Sequence, residues 1–128
     1  LMPATAKSLG VDSSSSPHEQ IRAGVSLLLK YDRFLAPYIS NDKQRVPFVV
    51  AAYNTGVGHI LDARRLAEKF GKDPDNWEDV AYFVKNKSNP KYYNDSVAYY
   101  GYSRGEETYQ FVRDIMDRYH HYKNLVDH

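Results

Sequence analysis

The sequence predicts an all-α fold built as a single domain. Apolar residues recur at the three- and four-residue spacing of a helix along most of the chain, and no stretch alternates apolar and polar residues over the length of a strand. Proline, glycine and asparagine interrupt this periodicity at intervals typical of helix lengths. With 128 residues, 42% of them hydrophobic, the chain is long enough for one core and too short for two.

Two helices are predicted before residue 40. Pro3 and Gly10 bracket a short one, because proline favours the first turn of a helix and glycine the position just past its end. Ser16 is the predicted N-cap of the next helix, where Glu19 completes a capping box, and this helix should end before Pro37. Its core-facing residues are predicted to be Ile21, Val25, Leu28, Leu29, Phe34 and Leu35.

Two further helices meet at the block AAYNTGVGH, residues 51–59. The first is predicted to begin at Asn41 and Asp42 and to run into this block. The second, HILDARRLAEKF, should end at Gly71. Its apolar face is expected to point inward and its charged residues outward, namely Asp62, Arg65 and Lys69.

The remaining third of the chain predicts two helices and a long connection. Asn76 should cap a short helix that contains Trp77, Val80, Phe83 and Val84. Residues 86–104 are rich in Asn, Ser, Tyr and Gly, and we expect a long ordered loop because its tyrosines need somewhere to pack. A final helix is predicted over 106–122, with a core stripe of Phe111, Val112, Ile115, Met116 and Tyr119.

Tyr53 and Asn54 are the candidate binding residues. They close an apolar run, and Gly56 and Gly58 after them let the backbone turn sharply and pass close to a neighbouring group. A tyrosine ring offers a stacking face for a sugar, and a carboxamide offers one acceptor and two donors for hydroxyl or N-acetyl groups. The same residues also fit an alternative, a buried helix end with a glycine stop and no ligand.

Four blocks of the sequence resemble the lytic murein transglycosylase domain in order and spacing. They are LMPATAKSLGV (1–11), PHEQIRAGVSLL (17–28), AAYNTGVGHILDARRLAEKFGKDP (51–74) and a tail with NWEDVAYFV, PKYYND and YGYSRGEETYQFVRDIMDRY. The tail most resembles the C-terminal catalytic module of a membrane-bound member of that family. The resemblance covers nearly the whole chain and implies a goose-type, lysozyme-like helical fold that uses no cofactor.

The resemblance also assigns site residues. In that family the catalytic glutamate precedes a Gly-Leu-Met-Gln-Leu-Met-Pro stretch, and this chain begins inside the stretch. We therefore expect the general acid upstream of Leu1, residues 1–128 to form one domain without its catalytic-Glu helix, and the chain alone to be inactive. Tyr53 is implied to support the acid, and the implied substrate-binding residues are Met2, Tyr53, Asn54, Asp79 and Tyr119. Asp79 has a structural alternative, because an acid in a first turn favours the helix dipole without any substrate.

The implied reaction cleaves the β-1,4 bond between N-acetylmuramic acid and N-acetylglucosamine without water. A glutamic acid protonates the leaving oxygen, and its carboxylate then takes the proton of the muramoyl C6 hydroxyl, which closes onto C1 as a 1,6-anhydro ring. The implied partner is the glycan strand of peptidoglycan. The implied location is the bacterial periplasm or the outer-membrane side of the cell envelope.

Composition argues against several other classes. A net charge of +1 provides no basic field for nucleic acid, and the absence of cysteine excludes thiol catalysis and thiolate metal sites. No run of eighteen apolar residues predicts a membrane span. His120 and His121 are adjacent, so their side chains diverge on a helix and no metal site is predicted.

Two alternative functions stay open. A non-catalytic module would bind peptidoglycan or chito-oligosaccharides without cutting them, and the residue at the family's glutamate position discriminates it. A helical protein-interaction domain would instead bind a peptide in an aromatic groove, and binding of N-acetylglucosamine oligomers separates the two. Without the family's first helix we also expect an exposed apolar face and self-association through it.

Overall fold

The computed structural model describes residues 17–126, and within this range the chain forms helices and connections without any strand. The α-helices of this range are α1 (Pro17–Leu35), α2 (Asp42–Thr55), α3 (Val57–Lys69), α4 (Trp77–Lys85), α5 (Pro90–Tyr93) and α6 (Gly105–Val126), with a 3₁₀ turn at Asn86–Ser88. The all-α prediction is confirmed. The helix predicted between Pro3 and Gly10 and the cap predicted at Ser16 lie outside the described residues.

Helix α2 lies at the centre of the fold, because it contacts α1, α3, α4 and α6. Its two small residues, Ala51 and Ala52, are buried and allow these helices to approach closely. The core around α2 is assembled from every long helix and includes Leu35, Phe48, Ile60, Leu66, Val80 and Val112. The last turn of α2 is therefore held on several sides at once.

Helix α1 packs only in part on the predicted face, since Leu28 and Leu35 contact the core as predicted. Ala23, Leu27 and Leu35 are buried, whereas Ile21, Val25, Leu29 and Phe34 are exposed. The helix carries two apolar faces, and the one with the small Ala23 lies against α2 because it permits closer contact. Periodicity alone cannot choose between two such faces.

Most helix ends agree with the predicted signals. Helix α1 ends before Pro37, the Asn41 side chain accepts from Gln44 N at 2.9 Å, and that of Asn76 accepts from Asp79 N at 3.2 Å. The predicted loop over 86–104 is partly wrong, because Asn89 caps the short α5 inside it. Helix α6 extends beyond the predicted 106–122 at both ends.

Candidate functional site

A one-residue turn joins α2 to α3 and forms the corner of the candidate site. Gly56 has φ +99°, a backbone conformation that favours glycine, and its N–H donates to Ala52 O at 2.8 Å. Helix α3 then begins at once with Val57. The sharp turn predicted from the glycines is confirmed, and it leaves Tyr53 and Asn54 in the last turn of α2.

Tyr53 lies between α1 and α6. Its ring stacks on Phe111, with centroids 6.4 Å apart and an interplanar angle of 15°. Its hydroxyl reaches α1, where it lies 3.6 Å from the position that a Cβ on Gly24 would take. The half-buried ring also lines a cavity of about 460 Å³, whose other lining residues are Pro17, Gln20, Ile21, Gly24, Val25 and Leu28. No carboxylate belongs to this lining within the described part of the chain.

Asn54 is held by a hydrogen bond from α6. The buried Thr108 hydroxyl donates to Asn54 Oδ1 at 2.7 Å, which fixes the orientation of the carboxamide. The amide nitrogen of that side chain carries two N–H donors of the kind that bind an N-acetyl oxygen or a sugar hydroxyl. Thr108 thus supports the candidate site without being part of its surface.

A segment before α6 covers the start of α3. The Ser103 and Thr55 hydroxyls are 2.8 Å apart, which ties this segment to the residue after Asn54. The Tyr100 ring lies against Gly58, and it meets His59 edge-on at 6.3 Å between ring centroids. The sequence alone did not place Tyr100 near this corner, because Tyr100 lies more than forty residues further along the chain.

Asp62 holds that segment in place by hydrogen bonds, and the outward position predicted for Asp62 is wrong. Its carboxylate is fully buried and accepts bonds from Lys87 Nζ at 2.5 Å, from the Arg65 guanidinium, and from Tyr99 N and Tyr100 N at 2.8 and 2.9 Å. Two cations and two backbone donors together offset the cost of burying the charge. Burial lowers the pKa of Lys87, and the bond to Asp62 opposes that effect.

His59 lies beside this network. Burial lowers the pKa of His59, the positive charge of Lys87 lowers it further, and Asp62 opposes both. Its Nδ1 is buried and has no hydrogen-bond partner among residues 17–126. These surroundings therefore favour the neutral form of the imidazole.

The other predicted site residues do not gather at this corner. Met2 lies outside the described residues. Asp79 accepts from Asp73 N at 3.1 Å and lines a cavity with Phe70, at the far end of α3 and about 20 Å along its axis from the corner. Tyr119 is exposed on α6, beyond Thr108 by about 16 Å of helix rise. Substrate contact by Met2, Asp79 and Tyr119 stays a prediction.

The described range has neither a cluster of metal ligands nor a helix able to span a membrane. Residues 17–126 bring no three His, Cys, Asp or Glu side chains together in a way that could hold a metal ion. None of the helices that the structure describes has the length and apolar character needed to cross a membrane.

Comparison of the sequence with known proteins finds relatives that share one name. The chain is 42% identical over 115 residues to the membrane-bound lytic murein transglycosylase F of Yersinia pestis (strain Pestoides F), a match that covers 90% of this chain and 23% of that protein. Proteins of the same name from Maricaulis maris and Vibrio cholerae are 39% and 37% identical, over 89% and 97% of this chain and 24% and 22% of theirs. No family model matches. The chain spans less than a quarter of the length of these relatives, and the resemblance inferred from its sequence blocks is confirmed.

Proposed function

We propose that this chain is part of a peptidoglycan lytic transglycosylase of the bacterial cell envelope. The observation that carries the proposal is the corner at Tyr53 and Asn54, in a chain similar over about 90% of its length to proteins named for this activity. Tyr53 lines an open cavity. The side-chain oxygen of Asn54 already accepts a hydrogen bond from Thr108, which leaves the amide nitrogen of Asn54 as the donor for a ligand. This pairing suits a hexosamine with an N-acetyl group.

In the proposed reaction no water is consumed. A glutamic acid outside these 128 residues protonates the glycosidic oxygen as the bond from that oxygen to C1 breaks. The resulting carboxylate removes the proton from the C6 hydroxyl of the muramoyl unit, whose oxygen then bonds to C1. Tyr53 orients the acid, and Asn54 binds the N-acetyl group.

A second candidate is a module that binds glycan strands without cutting them. The lining of the cavity beside Tyr53 favours it for the chain taken alone, because the described residues place no carboxylate there. The two candidates share the binding corner and differ only in whether a catalytic acid is present.

Digestion of purified sacculi by the full-length protein that contains this chain tests the proposal. We expect mass spectrometry to detect muropeptides ending in 1,6-anhydro-N-acetylmuramic acid. Products with a reducing muramic acid end would show a hydrolase instead. Binding to sacculi without any release of muropeptides would favour the non-catalytic module.

A further inference from the structure

We propose that Tyr100 provides a stacking platform for one sugar ring of the glycan strand, next to the Asn54 corner, and that Asp62 is the residue that positions it. The inference rests on the proposed function and adds a substrate contact beyond Tyr53 and Asn54.

Gly58 lets the tyrosine ring lie flat on the backbone of α3. A Cβ placed on Gly58 would meet three carbons of the Tyr100 ring, Cδ1, Cε1 and Cδ2, at 2.8, 2.8 and 2.9 Å. These atoms lie on opposite sides of the ring, so a point nearly equidistant from them lies over the ring's centre. One face of Tyr100 therefore covers Gly58 at a distance that only glycine permits.

The other face of the ring is open. Tyr100 remains 59% exposed although its inner face is covered. Exposure of a large aromatic face to water is unfavourable, and a ligand that covers the face removes this cost. The face of a hexosamine that carries C–H groups is such a ligand, because it is flat and apolar while its hydroxyls project sideways to water.

The backbone under the ring is fixed before any ligand arrives. Asp62 accepts both Tyr99 N–H and Tyr100 N–H, and the N–H of Ser103 donates to Lys87 O at 3.3 Å. Arg65 Nε donates to Val97 O at 2.9 Å, so the segment is held before Tyr100 in the sequence as well as after it. A ring on a rigid segment binds without the entropy cost of ordering a loop.

The platform and Asn54 are close enough to touch one strand. Gly58 follows Asn54 by four residues, so their Cα atoms lie at most about 14 Å apart even if the chain were extended. The Ser103 to Thr55 bond also holds the segment against this corner. A strand of a few sugars can thus contact Asn54 and Tyr100 together.

Binding of peptide-free murein glycan strands to the full-length protein tests the platform. Tyr100→Ala should weaken binding about tenfold, and Tyr100→Phe should bind like wild type because the face is kept. Tyr122→Ala is the matched control, since Tyr122 is similarly exposed at the end of α6, and it should leave the affinity unchanged. Wild-type affinity in Tyr100→Ala, or no strand binding by the wild type, would overturn the proposal.

The positioning role of Asp62 is tested by non-additivity. Asp62→Asn should weaken strand binding about as much as Tyr100→Ala, and adding it to Tyr100→Ala should cost nothing more. Additive losses would show that Asp62 acts only on the fold. Should Asp62→Asn fail to fold, Gly58→Ala displaces the ring directly, and full affinity in that variant would contradict the platform.

The outcomes separate this inference from the proposed function. If the wild type binds strands through Tyr100 but releases no anhydro product, the platform stands and the catalytic proposal fails. If the wild type releases anhydro product and Tyr100→Ala binds normally, the platform fails and the catalytic proposal stands.

Discussion

Tyr53 and Asn54 are neighbours in sequence but are held by different kinds of contact. Tyr53 stacks on Phe111 of α6 and reaches Gly24 of α1, so its ring is fixed by packing. Asn54 is fixed by one hydrogen bond from Thr108. Substitutions can therefore separate what each side chain does for the fold from what it does for a substrate.

Tyr53→Phe should lower turnover by about ten- to a hundredfold with little change in melting temperature. The variant keeps the ring that packs on Phe111 and removes only the hydroxyl that we assign to orientation of the acid. Release of anhydro-muropeptides by the full-length variant, alongside its thermal unfolding, measures both effects. Normal turnover would reduce Tyr53 to a packing residue.

Asn54→Ala should reduce turnover and also cost about 1 kcal/mol of stability, because the buried Thr108 hydroxyl loses an acceptor. Thr108→Val is its matched control, since it removes the same hydrogen bond and leaves the carboxamide in place. We expect similar stability in the two variants and much higher activity in Thr108→Val. Equal activity would show that Asn54 serves only the helix contact.

The lowered pKa of His59 makes stability depend on pH. Because burial lowers its pKa below the ordinary value near 6.5, the unfolded chain binds more protons than the folded one as the pH falls through that value. Stability should therefore decrease on acidification. Between about pH 7.5 and about pH 5.5 the melting temperature of the wild type should fall further than that of His59→Gln. Parallel losses in the two proteins would contradict a lowered pKa of His59 in the folded protein.

The burial of Asp62 shows the limit of sequence reasoning at this scale. An acid between apolar residues on an amphipathic helix, three residues before Arg65, is typical of a solvated face. Its main partner Lys87 lies 25 residues away, and the Tyr99 and Tyr100 backbone is still further along the chain. No local pattern encodes such a meeting, so only the tertiary structure reveals it.

Among the elements, most helix ends and most of the inward faces of α3 and α4 were predictable, whereas the packing face of α1 was predicted only in part. Asn41, Asn76 and Pro37 mark helix ends by local chemistry, which is independent of the rest of the fold. The buried face of α1 depends instead on what α2 offers, and the apolar pattern of α1 permitted two choices. The corner at Gly56 was predictable because a glycine at the end of an apolar run favours a sharp turn with positive φ.

The contact between α4 and α6 depends on Gly105. A Cβ at this position would lie 2.2 Å from Val84 O and 2.3 Å from Lys85 O, both backbone atoms that cannot move aside freely. Gly105→Ala should therefore destabilise the protein by about 2 kcal/mol or more. Gly24→Ala is the control, because its Cβ meets only an ordinary contact at 3.6 Å and should not destabilise. Urea unfolding compares the two, and equal stabilities would contradict the close contact.

At the scale of the whole molecule, α1 presents an exposed apolar strip beside the cavity at Tyr53. Its members Ile21, Val25 and Leu29 are each at least half exposed. We predict that the isolated 128-residue chain self-associates through this strip, and that Val25→Glu shifts it toward the monomer. Light scattering of both proteins measures this. A monodisperse wild-type monomer would contradict the prediction.

We propose that the chain belongs to an enzyme that breaks the glycosidic bond by internal attack of the C6 hydroxyl and not by water. Digestion of sacculi by the full-length protein in water enriched in oxygen-18 tests it most directly, with mass spectrometry of the new muramoyl ends. We expect 1,6-anhydro ends that carry no oxygen-18. Reducing ends labelled with oxygen-18 at C1 would contradict it.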